Sequence, residues 1–155
     1  MKIAIASDFS GFLLKEAVRC FLLEKGYQIQ DVGQKNAEDK LLYFEAAANL
    51  AKAVQSGECD RGIVICGTGA GVSMIANKFR GVYCVPCESL YTAEKISLIN
   101  NANVLAMGEK IVSPTMAGEM ALAFLGATWC EGFEEQRRKN NENGYRMLKQ
   151  IEDDF

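Results

Sequence analysis

The sequence predicts a Rossmann-like α/β three-layer sandwich, with helices on both faces of a five-stranded parallel sheet. Three observations carry that prediction. Short β-branched runs alternate with stretches of helical periodicity along most of the chain. The run Ile63-Val64-Ile65 is apolar throughout, as a buried strand requires. Gly26 and Gly57 stand where helical periodicity stops, so each period is punctuated.

Taken in order, residues 2–7 form a first strand. Residues 12–24 form a helix with Leu13, Ala17, Phe21 and Leu14, Val18, Leu22 along one face. Residues 28–32 make the second strand, and a polar loop at 33–39 leads to an alanine-rich helix over 41–55. The third strand ends at Cys66, and a glycine turn opens the next helix. A fourth strand spans 81–85, a helix covers 89–98, and Asn100-Asn101 stop it. The fifth strand is 102–107, after which Pro114 suits the first turn of a helix reaching Gly126. Right-handed crossovers join such strands into one sheet.

Residues 1–155 are expected to be a single domain, in which 132–155 form a C-terminal helical arm. Its charged sequence carries a narrow apolar stripe of Tyr145, Met147, Leu148 and Ile151. That pattern fits a solvated cap or a dimerisation helix packed on a second subunit.

Composition narrows the function. Seventeen basic and twenty acidic residues leave a net charge of −3, so no broad basic face exists for nucleic acid. Asp8 interrupts the N-terminal apolar run too early for a signal-peptide core, and no run is long enough to span a bilayer. A cytoplasmic protein without a membrane partner is the expectation. Histidine is absent, which removes Cys-His, Ser-His and histidine-metal chemistry together.

Six cysteines are present, most within apolar patterns where a free thiol packs as a small hydrophobe. Cys84-Val85-Pro86-Cys87 has the spacing of half a zinc or redox site, but no second pair supplies further ligands. Cys84 is read as a packed strand residue, with no metal and no cofactor expected.

Cys66-Gly67-Thr68-Gly69-Ala70-Gly71 is the segment that carries chemistry. Cys66 ends a strand on the side of an α/β sheet where ligands bind, and the glycines let backbone amides converge on an anion. This is neither a Walker loop nor a dinucleotide fingerprint: Lys78 comes too late, and Ser7-Asp8-Phe9-Ser10-Gly11 lacks the required spacing.

The same segment, followed by Ala76-Asn77-Lys78, resembles the ribose 5-phosphate isomerase B and galactose 6-phosphate isomerase family. Ile3 to Asp8, Lys15, Tyr43, Asn100, Asn103 to Gly108 and Arg138 extend the resemblance over most of the chain. The resemblance implies an aldose–ketose isomerase working through an enediolate, with sites shared between subunits of a homodimer or dimer of dimers. Cys66 falls where one branch keeps its base; the other branch has a glutamate at the position of Val72. Thr68 would hold the reacting oxygens, and the amides around Gly67, Gly69 and Gly71 would stabilise the developing charge. Asp8, Tyr43 and Asn100 match substrate contacts. Lys110 and Arg138 match phosphate-binding positions, with Arg138 reaching the other subunit.

The departures bear on substrate. Phe9 and Ile99 stand where the pentose enzymes have histidines, the second assigned to ring opening, and Glu134-Glu135 replace an arginine-histidine pair. Phe9 at the pocket would suit a less hydroxylated sugar. A tetrose 4-phosphate cannot close a furanose ring, because its O4 is esterified. A tetrose or tetrulose 4-phosphate is therefore the expected sugar phosphate. Ribose 5-phosphate or galactose 6-phosphate, and a non-catalytic sugar-phosphate-binding subunit, remain as alternatives.

Overall fold

The computed structural model describes all residues, 1–155. Five strands, β1 (Lys2–Ser7), β2 (Gln28–Asp31), β3 (Arg61–Cys66), β4 (Cys84–Pro86) and β5 (Val104–Gly108), form one parallel sheet in the order β2-β1-β3-β5-β4. The helices are α1 (Phe12–Glu24), α2 (Tyr43–Gln55), α3 (Ala70–Ala76), α4 (Leu90–Leu98), α5 (Pro114–Gly126) and α6 (Glu135–Asp153). The predicted three-layer architecture is the one observed.

Strand alternation sorts the core into two unlike layers. Ile3, Ile5, Ile63, Ile65, Leu105 and Met107 face α1, α4 and α5, where Leu14, Val18, Ile96, Met120 and Phe124 meet them. Ala4, Ala6, Val64, Cys66, Val104 and Ala106 face α2 and α3, and small residues such as Ala46, Ala47 and Ala51 let α2 pack closely. Both faces are covered, so the strands read as apolar runs rather than alternating ones.

The chain reverses its winding at β1, with β2 on one side and β3 on the other. Such a switch point opens a crevice beyond the carboxyl ends of the two strands. Ser7 pairs with Ile65, and Cys66 pairs with Gly108 of β5. The residues leaving β1, β3 and β5 thus emerge side by side.

Several local expectations are corrected. Leu13 does not join the buried stripe of α1; it is 71% exposed, while Leu14, Val18 and Leu22 are buried. β4 starts at Cys84 rather than residue 81, because the Tyr83 amide donates to the Asn103 side chain and the Gly81 amide to Glu152. β5 starts and ends later than expected, and its extension to Gly108 reaches the Cys66 turn. α2 begins at Tyr43 because Glu45 turns back to accept the Leu42 amide at 2.9 Å, making Leu42 the cap position.

The predicted C-terminal helix is present as α6, and none of its residues is buried. Glu152 accepts the Tyr83 hydroxyl at 3.0 Å, and Asp153 pairs with Arg80 at 2.6 Å. Burial and the Glu152 hydrogen bond push the Tyr83 hydroxyl upward from its ordinary value. Tyr145 packs between Tyr83 and Trp129. Met147 and Ile151 remain 56% and 52% exposed, so the chain itself covers the Tyr145 end of the apolar stripe and leaves these two uncovered.

Candidate active site

At the end of β3 the backbone folds back onto the thiol. The Gly69 amide donates to Cys66 Sγ at 3.1 Å, and the Ala70 amide donates to Thr68 Oγ1 at 3.3 Å. The Gly69 amide, expected to serve the anion cradle, thus faces the thiol. The amides of Gly67, Thr68 and Gly71 donate to no group of the chain. Thr68 is exposed, whereas Cys66 is only 6% exposed.

This turn can form only with glycine at certain positions. Gly69 has φ +82°, and a Cβ there would stand 3.0 Å from the Met107 carbonyl carbon. A Cβ on Gly108 would come within 2.6 Å of Thr68. Gly71 accommodates the Tyr43 ring, whose edge would be 3.0 Å from an added Cβ. Tyr43 is thereby held against the turn that follows Cys66.

Asp8 leaves β1 beside this turn. Its Oδ1 accepts the Ser10 and Gly11 amides at 3.0 Å each, capping the 3-10 turn Phe9–Gly11. Ser10 Oγ also donates to the carboxylate, at 2.7 Å to Oδ1 and 2.9 Å to Oδ2. Phe9 is 50% exposed, with the Lys40 ammonium 5.6 Å from its ring centroid. Lys15 lies deeper: fully buried, it meets Asp31 at 2.5 Å and the Gln34 carbonyl, tying α1 to the loop after β2.

Two residues unnoticed in the sequence hold this assembly together. Ser10 locks the Asp8 carboxylate and lies 3.5 Å from where a Gly67 Cβ would be. The Glu109 amide donates to the Cys66 carbonyl at 2.9 Å, while its side chain accepts the Leu14 amide of α1 at 2.9 Å. Lys110 follows, donating its amide to the Gly67 carbonyl at 3.0 Å and running its side chain past Gly67. Ser10 shares a turn with Asp8 and could have been noticed as a capping partner. Glu109 gives no local signal, since its partner lies 95 residues away.

Asp8, Phe9, Tyr43, Cys66, Thr68 and Lys110 are thus brought to one mouth, together with Gly67, Gly69 and Gly71. Asn100 and Arg138 are not. Asn100 follows α4, which runs back to the amino edge of the sheet before β5 begins. There it lines a cleft with Asn140, Asn141 and Tyr145 of α6, the helix that carries Arg138. The largest groove, about 780 Å³ between α4 and α5, also lies away from the Cys66 turn. Val72, at the position of the alternative base, is fully buried in the α2–α3 layer.

Parallel strands, a thiol at their switch point and unpaired amides in the turn beside it define an α/β protein with a crevice that can take an anion. The sequence pattern of the ribose/galactose isomerase family matches residues 3–141, and the chain belongs to that family. It is similar to 4-deoxy-4-sulfo-D-erythrose isomerase of Clostridium sp. (strain MSTE9), with 48% identity over 90% of this chain and 87% of the relative. It is 38% identical to D-erythrulose-4-phosphate isomerase 2 of Mycolicibacterium smegmatis, covering 81% of this chain and 84% of that one. Ribose-5-phosphate isomerase B of Clostridium thermocellum superposes with a TM-score of 0.90 at 37% identity, covering 99% of each chain. The reaction class is accordingly aldose–ketose isomerisation. No helix is long and apolar enough to cross a membrane.

Proposed function

We propose that the chain interconverts the aldose and ketose forms of a four-carbon sugar ending in an anion, either a tetrose 4-phosphate or its 4-deoxy-4-sulfo counterpart. The observation that carries this reading is the Cys66 turn, a sulfur that accepts the Gly69 amide within a turn whose Gly67, Thr68 and Gly71 amides are unpaired, in a chain without histidine. As a thiolate, Cys66 takes the proton from C2 of the aldose. The released electron pair forms the C1–C2 double bond, and the carbonyl oxygen takes the charge. The amides of Gly67, Thr68 and Gly71 stabilise that oxyanion, and Thr68 Oγ1 holds the neighbouring oxygen. Returning the proton to C1, with transfer of the O2 proton to O1, yields the ketose with no net redox change.

Neither four-carbon substrate demands ring opening. In the phosphate O4 is esterified, and in the sulfonate C4 carries sulfur instead of oxygen. That agrees with Phe9 and Ile99 at positions where the resemblance places histidines in pentose enzymes. Ribose 5-phosphate is the second reading, favoured by the close superposition on a ribose-5-phosphate isomerase B. Asp8 and Tyr43 would bind sugar hydroxyls, Lys110 the terminal anion.

A site shared between copies, in a homodimer or dimer of dimers, is supported by the separation of Asn100 and the Arg138-bearing helix from the Cys66 mouth of the same chain. The exposed stripe of α6 is the surface available for that pairing. Six free thiols favour a reducing, cytoplasmic setting.

Proton NMR in D2O with both four-carbon substrates, ribose 5-phosphate and galactose 6-phosphate tests the reading. Deuterium entry and product are expected first with a four-carbon substrate, and neither with Cys66→Ala. Binding without exchange on any sugar would instead identify a non-catalytic subunit. Mixing inactive Cys66→Ala and Arg138→Ala subunits should restore about a quarter of wild-type sites if dimers re-form at random. No recovery after proven subunit exchange would exclude sharing.

A further inference from the structure

Resting on the four-carbon reading, we infer that the terminal group this site is built for is a sulfonate monoanion rather than a phosphate dianion. A phosphate ester carries about −1.5 to −2 charges at pH 7 and is gripped best by arginine forks, each taking two oxygens. A sulfonate carries a single charge.

The charged groups offered to the anion suit the smaller demand. At the mouth the chain supplies Asp8, Lys40, Glu109 and Lys110, two of each sign. Asp8 is held by Ser10 and the turn amides, and Glu109 by Leu14. Lys40 leans on the Phe9 ring. Lys110 is exposed, with its side chain beside Gly67. It is a point charge without the planar fork that paired phosphate oxygens favour.

The basic run on α6 adds less than its sequence promises. Arg137 lies 3.8 Å over the Phe133 ring, and Lys139 pairs with Glu135 at 2.6 Å. Arg138 is left as the cation to send across, with Glu134 one turn before it. The four mouth charges cancel, and Arg137, Arg138 and Lys139 against Glu134 and Glu135 leave about one net positive charge on the arm to face the anion.

The surrounding wall points the same way. Phe9 and Ile111 are 50% and 46% exposed, and Ile111 reaches within 2.8 Å of where a Gly108 Cβ would stand. Removing water from a dianion against such a surface costs far more than from a monoanion, because ion solvation grows with the square of charge. Lys110, Phe9 and Arg138 are thus the specificity-determining residues for the terminal group.

Initial rates with 4-deoxy-4-sulfo-erythrose and with erythrose 4-phosphate test the inference on the intact protein. At about pH 7.5 kcat/KM should favour the sulfonate by at least about tenfold. At about pH 5.5 the ratio should shrink, because the phosphate, with a second pKa of about 6, becomes mostly monoanionic. Taking the ratio at each pH cancels the enzyme's own titration wherever both substrates use the same ionisation state. Lys110→Arg should narrow the preference by adding a second fork to that of Arg138. Equal use of the phosphate at pH 7.5, or a preference that does not shrink at pH 5.5, overturns the sulfonate assignment while leaving the four-carbon reading intact. Turnover of neither overturns the four-carbon reading itself.

Discussion

The carboxyl ends of β3 and β4 both present a cysteine, built in opposite senses. Cys66 and Cys87 are nearly equally deep, 6% and 3% exposed, so depth does not separate them. Their hydrogen bonds do. Cys66 Sγ accepts the Gly69 amide, whereas Cys87 Sγ donates toward the Val85 carbonyl at 3.8 Å. Burial lifts the Cys87 thiol from 9.0 to about 11, and it pushes Cys84 upward as well. What distinguishes the two ends is the backbone around each sulfur: a glycine turn whose amides come back to Cys66, against a Val-Pro segment that offers Cys87 a carbonyl. A thiol becomes a candidate base through its turn, not through its strand.

The largest expected effect breaks the comparison at its first member. Cys66→Ala should lower kcat by about a thousandfold or more, in the range for removing an essential proton-transfer group. Cys87→Ala should stay within about threefold of wild type, since that sulfur faces only a carbonyl and apolar neighbours. Thermal melts of both variants establish that they are folded. A Cys66→Ala enzyme within tenfold of wild type would remove the thiol from the chemistry.

The sequence made the β3 end legible and left its support hidden, for a physical reason. Ile63-Val64-Ile65 and the spaced glycines are local signals, and the sheet, the turn and Cys66 followed from them. Asp8 was legible as a cap, and its capping bonds are present. Leu13 was misplaced because periodicity alone cannot tell which edge of an apolar stripe meets the sheet. The start of β4 was misplaced because Asn103 and Glu152, 20 and 71 residues away from the amides they bind, compete for that segment. Glu109 escaped notice on the same ground: its carboxylate acts on a helix that begins almost a hundred residues earlier.

Glu109 offers the next, smaller test, because its side chain braces the β3 end from α1, whereas Cys87 is tied by its own amide to the Ala106 carbonyl. Glu109→Ala leaves the Leu14 amide at the start of α1 without its acceptor and releases the loop that carries Lys110. A stability loss of about 1 kcal/mol is expected, as for loss of a helix cap. KM should rise about five- to tenfold with a smaller fall in kcat, because Lys110 is displaced more than Cys66. Glu109→Gln retains an acceptor for Leu14 and should recover most of both. Failure of the glutamine variant to recover would mean that the charge of Glu109, rather than its bracing, matters.

The smallest effect sharpens the other side of the comparison. With its pKa raised from 9.0 to about 11 in the fold, Cys87 keeps its proton between those values while the unfolded chain loses it. The unfolded state then binds fewer protons, so stability falls as pH rises through that window and is unaffected below it. Two pK units correspond to about 2 to 3 kcal/mol when the window is fully crossed. Cys87→Ala costs stability at neutral pH, where a packed side chain is lost, but removes this alkaline decline. Urea unfolding of both proteins near pH 7 and pH 10.5 should therefore show the gap between them narrowing. A gap independent of pH would mean that Cys87 does not resist ionisation, and the contrast with Cys66 would then rest on hydrogen-bond geometry alone.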